Sequence, residues 1–105
     1  MPKAYFLVRA VVSDASLREK FDRWYSADHL PRALADFKAE KAWRSWSAVE
    51  EGVHYAFYQF ADRDRLDAAL KSDAFKALVA DFDRNFPHGV TRTRDILPLA
   101  EELGG

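Results

Sequence analysis

The spacing of apolar residues changes repeatedly along the chain, and each change marks an element. Ala4 to Val12 (Ala-Tyr-Phe-Leu-Val-Arg-Ala-Val-Val) is apolar at both parities, which reads as a central strand covered on both faces. From Leu17 the period lengthens to that of a helix. On a wheel of about 3.6 residues per turn centred on Phe21, Leu17, Trp24, Tyr25 and Asp28 fall in one arc, with His29 at its margin beside Tyr25. Ser16 followed by Glu19 has capping-box spacing and sets the start of this helix. Pro31 lacks an N–H, so the helix is expected to stop or kink near Asp28 and Leu30, with Pro31 opening a further helical turn from Arg32 to about Phe37 that buries Leu34 and Phe37.

Lys41 to Val49 predicts a second strand, with Trp43 and Trp46 on opposite faces. Glu50-Glu51-Gly52 predicts a hairpin turn, and Val53 to Ala61 a third strand apolar at both parities. Asp62 can cap a helix with Leu66, Ala69 and Leu70 on one face. Ser72-Asp73 offers a new cap for Phe75, Leu78, Val79, Phe82 and Phe86, so two short helices in series are expected. Pro87-His88-Gly89 breaks the pattern. Val90 to Leu97 is more polar, as an edge strand would be, Pro98 ends its ladder, and residues 99–105 are expected to form a flexible tail.

The resulting order is βαββαβ, an α+β ferredoxin-like arrangement in a single domain spanning residues 1–105. Both crossovers place their helices on the same face of a four-stranded antiparallel sheet, with the first and third strands central. The opposite face has no cover within the chain although both central strands are apolar there, so a homodimer closed through that face is expected.

Composition narrows the function without naming it. The 16 basic and 17 acidic residues nearly cancel and are interspersed, which leaves no electrostatic footprint for nucleic acid or an anionic membrane. Cysteine is absent, so disulfides, thiolate catalysis and cysteine-ligated metals are excluded. No apolar run has the form of a signal peptide or a membrane span, and a cytoplasmic location is the expectation. Glycines occur only at Gly52, Gly89, Gly104 and Gly105, so no glycine-rich phosphate loop exists and no cofactor is expected.

The reactive side chains concentrate between Phe21 and Arg32. His29 can exchange protons near neutral pH, and the Tyr25 phenol one turn before it could donate to a carbonyl or enolate oxygen, making these two the candidate catalytic residues. Trp24, Asp28, His54, Tyr58 and Trp46 are candidate ligand-binding residues. The plain alternative makes Phe21, Trp24 and Tyr25 core, pairs Asp28 with Arg32, and leaves His29 a satisfied, partly buried histidine. His54 and Tyr58 share a face with Ala56 and Phe60 that looks either to the helices or to a partner subunit, and one of Trp43 and Trp46 must face the helices. Arg9 and Arg92 or Arg94 stand on neighbouring strands, with Asp95 or Glu40 as expected partners. The three histidines sit on three elements without ligand spacing, so no metal is expected.

The same order together with Trp24-Tyr25, Asp28 and His29-Leu30-Pro31 resembles the dimeric α+β barrel superfamily, and within it the EthD-like branch. Many relatives have a Pro-Gly turn after the first helix; this chain has Phe37-Lys38. The resemblance implies a cavity between helices and sheet with the first-helix histidine, here His29, pointing into it. It also implies a small-molecule ligand, and a choice among cofactor-independent cyclase, isomerase or lyase chemistry on an aromatic or carbonyl-bearing metabolite, a haem- or quinol-type monooxygenase, and a non-catalytic accessory or ligand-sequestering protein.

Overall fold

The structure is a computed structural model and describes residues 2–105. Strands β1 (Ala4–Val12), β2 (Lys41–Trp46), β3 (Val53–Phe60) and β4 (Val90–Pro98) form one antiparallel sheet in the order β2-β3-β1-β4. The two strands with apolar residues at both parities are thus the central ones. Pairing of Val8 with both Ala56 and Arg94, and of Arg44 with Ala56, puts even-numbered side chains of all four strands on one face. Helices α1 (Arg18–Trp24), α2 (Leu30–Phe37), α3 (Arg63–Leu70) and α4 (Asp73–Asn85) cover that face. The core forms where Phe6, Tyr58 and Phe60 meet Phe21, Phe37, Leu66, Leu78 and Phe82.

Several boundaries differ from the sequence expectation, each for a local reason. The cap at the start of the first helical segment is Asp14, not Ser16: Asp14 Oδ1 accepts from the Ser16 amide (3.0 Å) and hydroxyl (2.6 Å), and a 3₁₀ turn at Ala15–Leu17 leads into α1. Strand β2 ends at Trp46 rather than Val49, because the Ser47 hydroxyl accepts from the amides of Val49 and Glu50 and turns the chain out of the ladder. Strand β3 ends at Phe60, and Asp62 caps α3 through the amide of Arg65, as expected.

The largest correction lies at Pro31, where the helix neither stops nor breaks. Tyr25–His29 winds as a π turn, the Leu30 amide donates to the Tyr25 carbonyl, and α2 continues directly with Pro31 in its first turn. A regular α-helix would need a Pro31 N–H for the Ala27 carbonyl; widening the turn by one residue absorbs the missing donor. The wider turn also shifts the faces downstream. Asp28 moves from the apolar arc to the surface, within 3.9 Å of Arg32, and His29 moves into the core at 8% exposure. Helix α2 buries Ala33 and Phe37 while Leu34 is half-buried, and Lys38 takes the left-handed conformation (φ 55°) that closes its end where a glycine is common.

The opposite face of the sheet carries the odd-numbered side chains. Trp43 stacks on Phe57 at 5.2 Å with Tyr5 edge-on at 6.2 Å, Tyr55 follows Phe57, and Leu97 stands on β4. Trp43 and Leu97 are each 38% exposed, and no helix of this chain covers them. Arg9 also lies on this face and pairs with Glu50 (2.9 Å), not Asp95 or Glu40; Glu40 is occupied by Lys3 (2.7 Å) and Gln59. Among the described residues no helix is long and apolar enough to cross a membrane.

Candidate functional site

A cavity lies where the π turn and α2 diverge from α4 above the sheet. Phe6, Val8 and Tyr58 form its floor, Tyr25, His29 and Phe37 one wall, and Phe75, Leu78 and Phe82 of α4 the other. Arg92 and Arg94 of β4 complete its rim. Its volume is about 30 Å³, room for one or two water molecules.

His29 owes its place here to the π turn. Its ring stacks on Trp24 (4.6 Å, 21°) and meets Tyr25 and Phe82 edge-on at 4.9 and 5.4 Å. Its Nδ1 is buried without a hydrogen-bond partner. Burial lowers the imidazole pKa to about 4; the charge of Arg92 adds to this, Asp81 opposes it, and Arg32 lowers it further. His29 is therefore a neutral proton acceptor at pH 7.

Tyr25 and Tyr58 bring two phenols to the same cavity. Burial pushes Tyr25 up to about 12, against the opposing effects of a hydrogen bond with Tyr58 and the charges of Arg92 and Arg44. Burial likewise raises Tyr58, reinforced by its interaction with Tyr25. Both stay protonated at neutral pH; one phenol proton is engaged between the two rings, which leaves the other to meet an oxygen on which negative charge develops.

Behind Tyr25 sits a polar cluster assembled from α1, β2 and β3. His54 is wholly buried, its ring 4.5 Å from that of Tyr25 and 5.0 Å from that of Trp46. Asp22 Oδ1 accepts from Trp46 Nε1 (2.7 Å) and Arg44 Nη1 (2.8 Å), and these bonds, that from Trp46 foremost, lower its carboxyl pKa. Arg44 Nη1 also donates to His54 Nε2 (3.3 Å). A guanidinium only donates, so the His54 proton resides on Nδ1, which has no partner. Burial first, and then Arg44, lower His54 to about 4.

Of the residues singled out from sequence, His29, Tyr25 and Tyr58 converge on the cavity. Trp24 backs His29, and Trp46 and His54 support Tyr25 from behind. Asp28 lies outside on the α2 side. From sequence, Arg92 and Arg94 are strand cations with Asp95 or Glu40 as expected partners. Arg92 instead pairs with Asp83 (2.5 Å) and lies over the Phe82 ring at 3.8 Å. The available signal was parity: Arg92 and Arg94 fall between Val90 and Ile96, both packed on the core, and so face the helices.

A βαββαβ chain with its helices on one face of a four-stranded antiparallel sheet and a cavity beneath them has the ferredoxin-like α+β fold. Three solved structures share it along nearly the whole chain. SnoaB, a cofactor-independent oxygenase from Streptomyces nogalater, aligns over 100% of both chains at a TM-score of 0.70 and 14% identity. HapK from Hahella chejuensis aligns over 97% of this chain and 94% of its own, at 0.69 and 14%. An ethyl tert-butyl ether D (EthD) family protein from Bacillus halodurans aligns over 94% of this chain and 99% of its own, at 0.64 and 17%. At such identities the likeness is one of fold. No protein-family profile matches the chain, and no curated protein matches it by sequence.

Proposed function

We propose that the chain is a homodimeric small-molecule-binding protein whose helix–sheet cavity takes a small aromatic or carbonyl-bearing metabolite. In this reading His29 accepts a proton from the ligand and Tyr25 or Tyr58 stabilises the resulting oxygen charge. The observation that carries it is the neutral, buried His29 beside two phenols in a cavity lined mostly by aromatic and aliphatic side chains, with Arg92 and Arg94 at its rim, the arrangement expected of a ligand pocket with a few convergent polar groups. The reaction class that suits these groups is cofactor-independent proton transfer, as in isomerisation, cyclisation or lysis. Because the cavity has room only for water-sized occupants, ligand entry requires its aromatic walls to move. A second reading, cofactor-independent oxygenation, is supported by the same feature and by the likeness in fold to SnoaB: in that reading His29 would take the proton from an oxidisable aromatic substrate.

His29→Phe tests this reading better than truncation to alanine. The ring is packed against Trp24, Tyr25 and Phe82, so deleting it would open a void, whereas phenylalanine conserves shape and removes the nitrogens. The variant is expected to keep its stability to within about 1.5 kcal/mol. It should bind 2-naphthol about tenfold more weakly. Turnover on a panel of quinols and enones, followed by oxygen uptake and solvent-deuterium exchange, should fall by about 10²–10⁴-fold. Unchanged affinity and turnover would take His29 out of the site.

A further inference from the structure

The cavity is ringed by positive charge on one side only. Arg92 is committed to Asp83, but Arg94 makes no ion pair and no hydrogen bond among the described residues, its guanidinium lying 5.3 Å above the Phe75 ring. Phe75 is half-buried and packs edge-on against Phe6 at 6.1 Å and obliquely against Phe37 at 6.0 Å. Phe6, Phe75 and Arg94 border the cavity on one side and, on the other, an open groove reaching Leu70, Asp95 and Ile96; Asp95 Oδ1 accepts from the Ile96 amide and makes no ion pair with Arg94. The Phe75 ring therefore stands between the chamber and the groove, and an arginine without an ion-pair partner among the described residues rests on it. No carboxylate lines the chamber; its polar groups are the neutral imidazole, the two phenols and the two guanidinium groups.

We propose that Arg94 and Phe75 form the entrance of the cavity and that the ligand it admits is an anionic aromatic compound, its carboxylate or equivalent anionic group held by Arg94 while its ring enters the Phe6–Phe37 subsite. This deepens the small-molecule reading above and rests on it. An anion at the mouth draws the guanidinium from the aromatic face, and Phe75 then rotates toward the groove, which enlarges a chamber otherwise too narrow for an aromatic ring. Arg92 is less suited to the role, since its charge is already compensated by Asp83 and its plane is held on Phe82.

The test pairs two probes of nearly equal shape, 2-naphthoate and 2-naphthamide, titrated into the full chain while the ring C–H signals of His29 are followed by NMR. Naphthoate is expected to shift these signals and to bind about tenfold tighter than the amide. Arg94→Gln should erase that preference by weakening naphthoate alone. Lys76→Gln, which removes a cation from the exposed side of α4, should leave the preference intact. Phe75→Ala should speed association of both probes. Equal affinities in the wild type, or a preference that survives Arg94→Gln, would overturn the anion assignment while leaving the cavity as a ligand site. Unchanged association rates in Phe75→Ala would overturn the entrance. If neither probe moves the His29 signals, the cavity reading falls together with this one.

Discussion

Lowering the pH from 7 to 4 is expected to remove roughly 3 kcal/mol of folding stability for each of two histidines, about 6 kcal/mol in all, a large share of what a domain of this size possesses. His29 and His54 both have folded-state pKa values lowered from 6.5 to about 4. Between those values the unfolded chain binds protons that the folded chain refuses. Stability is therefore full above pH 6.5, falls as pH drops through 6.5 toward 4, and levels off once both states are protonated. The carboxylates with lowered pKa values, Asp14, Asp22 and Glu40, act in the same direction but only from about pH 4.5 downward, so the window from 6.5 to 5 belongs to the histidines. Because the two imidazoles repel each other when charged, their protonation is coupled. Urea melts at half-unit pH steps check this: the slope should be steep in the wild type and nearly flat in His29→Phe/His54→Phe. A stability independent of pH between 6.5 and 5 would mean that both rings remain hydrated in solution.

Phe57→Asp is expected to abolish self-association. Phe57 lies at the centre of the uncovered face, stacked on Trp43 and flanked by Tyr55. A face of this composition, at about 25 cal/mol per Å² of apolar area, favours closure against a second copy. An unpaired carboxylate buried there costs on the order of 3–5 kcal/mol, equivalent to a dissociation constant raised about a hundredfold or more. Sedimentation velocity at micromolar concentration should show a dimer for the wild type and a monomer with a lower melting temperature for the variant. A wild-type chain that sediments as a monomer would remove the homodimer.

What the sequence made legible follows from its physical redundancy. The double-sided apolarity of Ala4–Val12 and Val53–Phe60 admits little but a central position, and the register then sends His54 and Tyr58 to the helix side. The sequence alone left that phase open because both parities are apolar. The side chains that line the cavity were legible as candidates, but their geometry was not. A wheel of 3.6 residues per turn puts Asp28 inside and His29 at the margin, and only the π turn around Pro31 reverses them. Periodicity cannot anticipate an inserted residue per turn. The Asp22–Arg44–His54 cluster was out of reach for a different reason: its members come from α1, β2 and β3, and their convergence depends on tertiary packing that no local spacing encodes. Arg94 was visible as a charge, but its lack of a partner is a property of the fold.

The central claim, that a small molecule binds between the helices and the sheet, is tested most directly by the chain's own tyrosines. Of the four, Tyr25 and Tyr58 belong to the cavity and Tyr5 and Tyr55 to the opposite face. With the tyrosine rings selectively ¹³C-labelled, titration of 2-naphthol into the wild-type protein should shift the Tyr25 and Tyr58 signals saturably, leave Tyr5 and Tyr55 in place, and lose most of its affinity in His29→Phe. Shifts confined to Tyr5 and Tyr55, or no saturable shift at Tyr25 and Tyr58, would contradict a ligand site in the cavity.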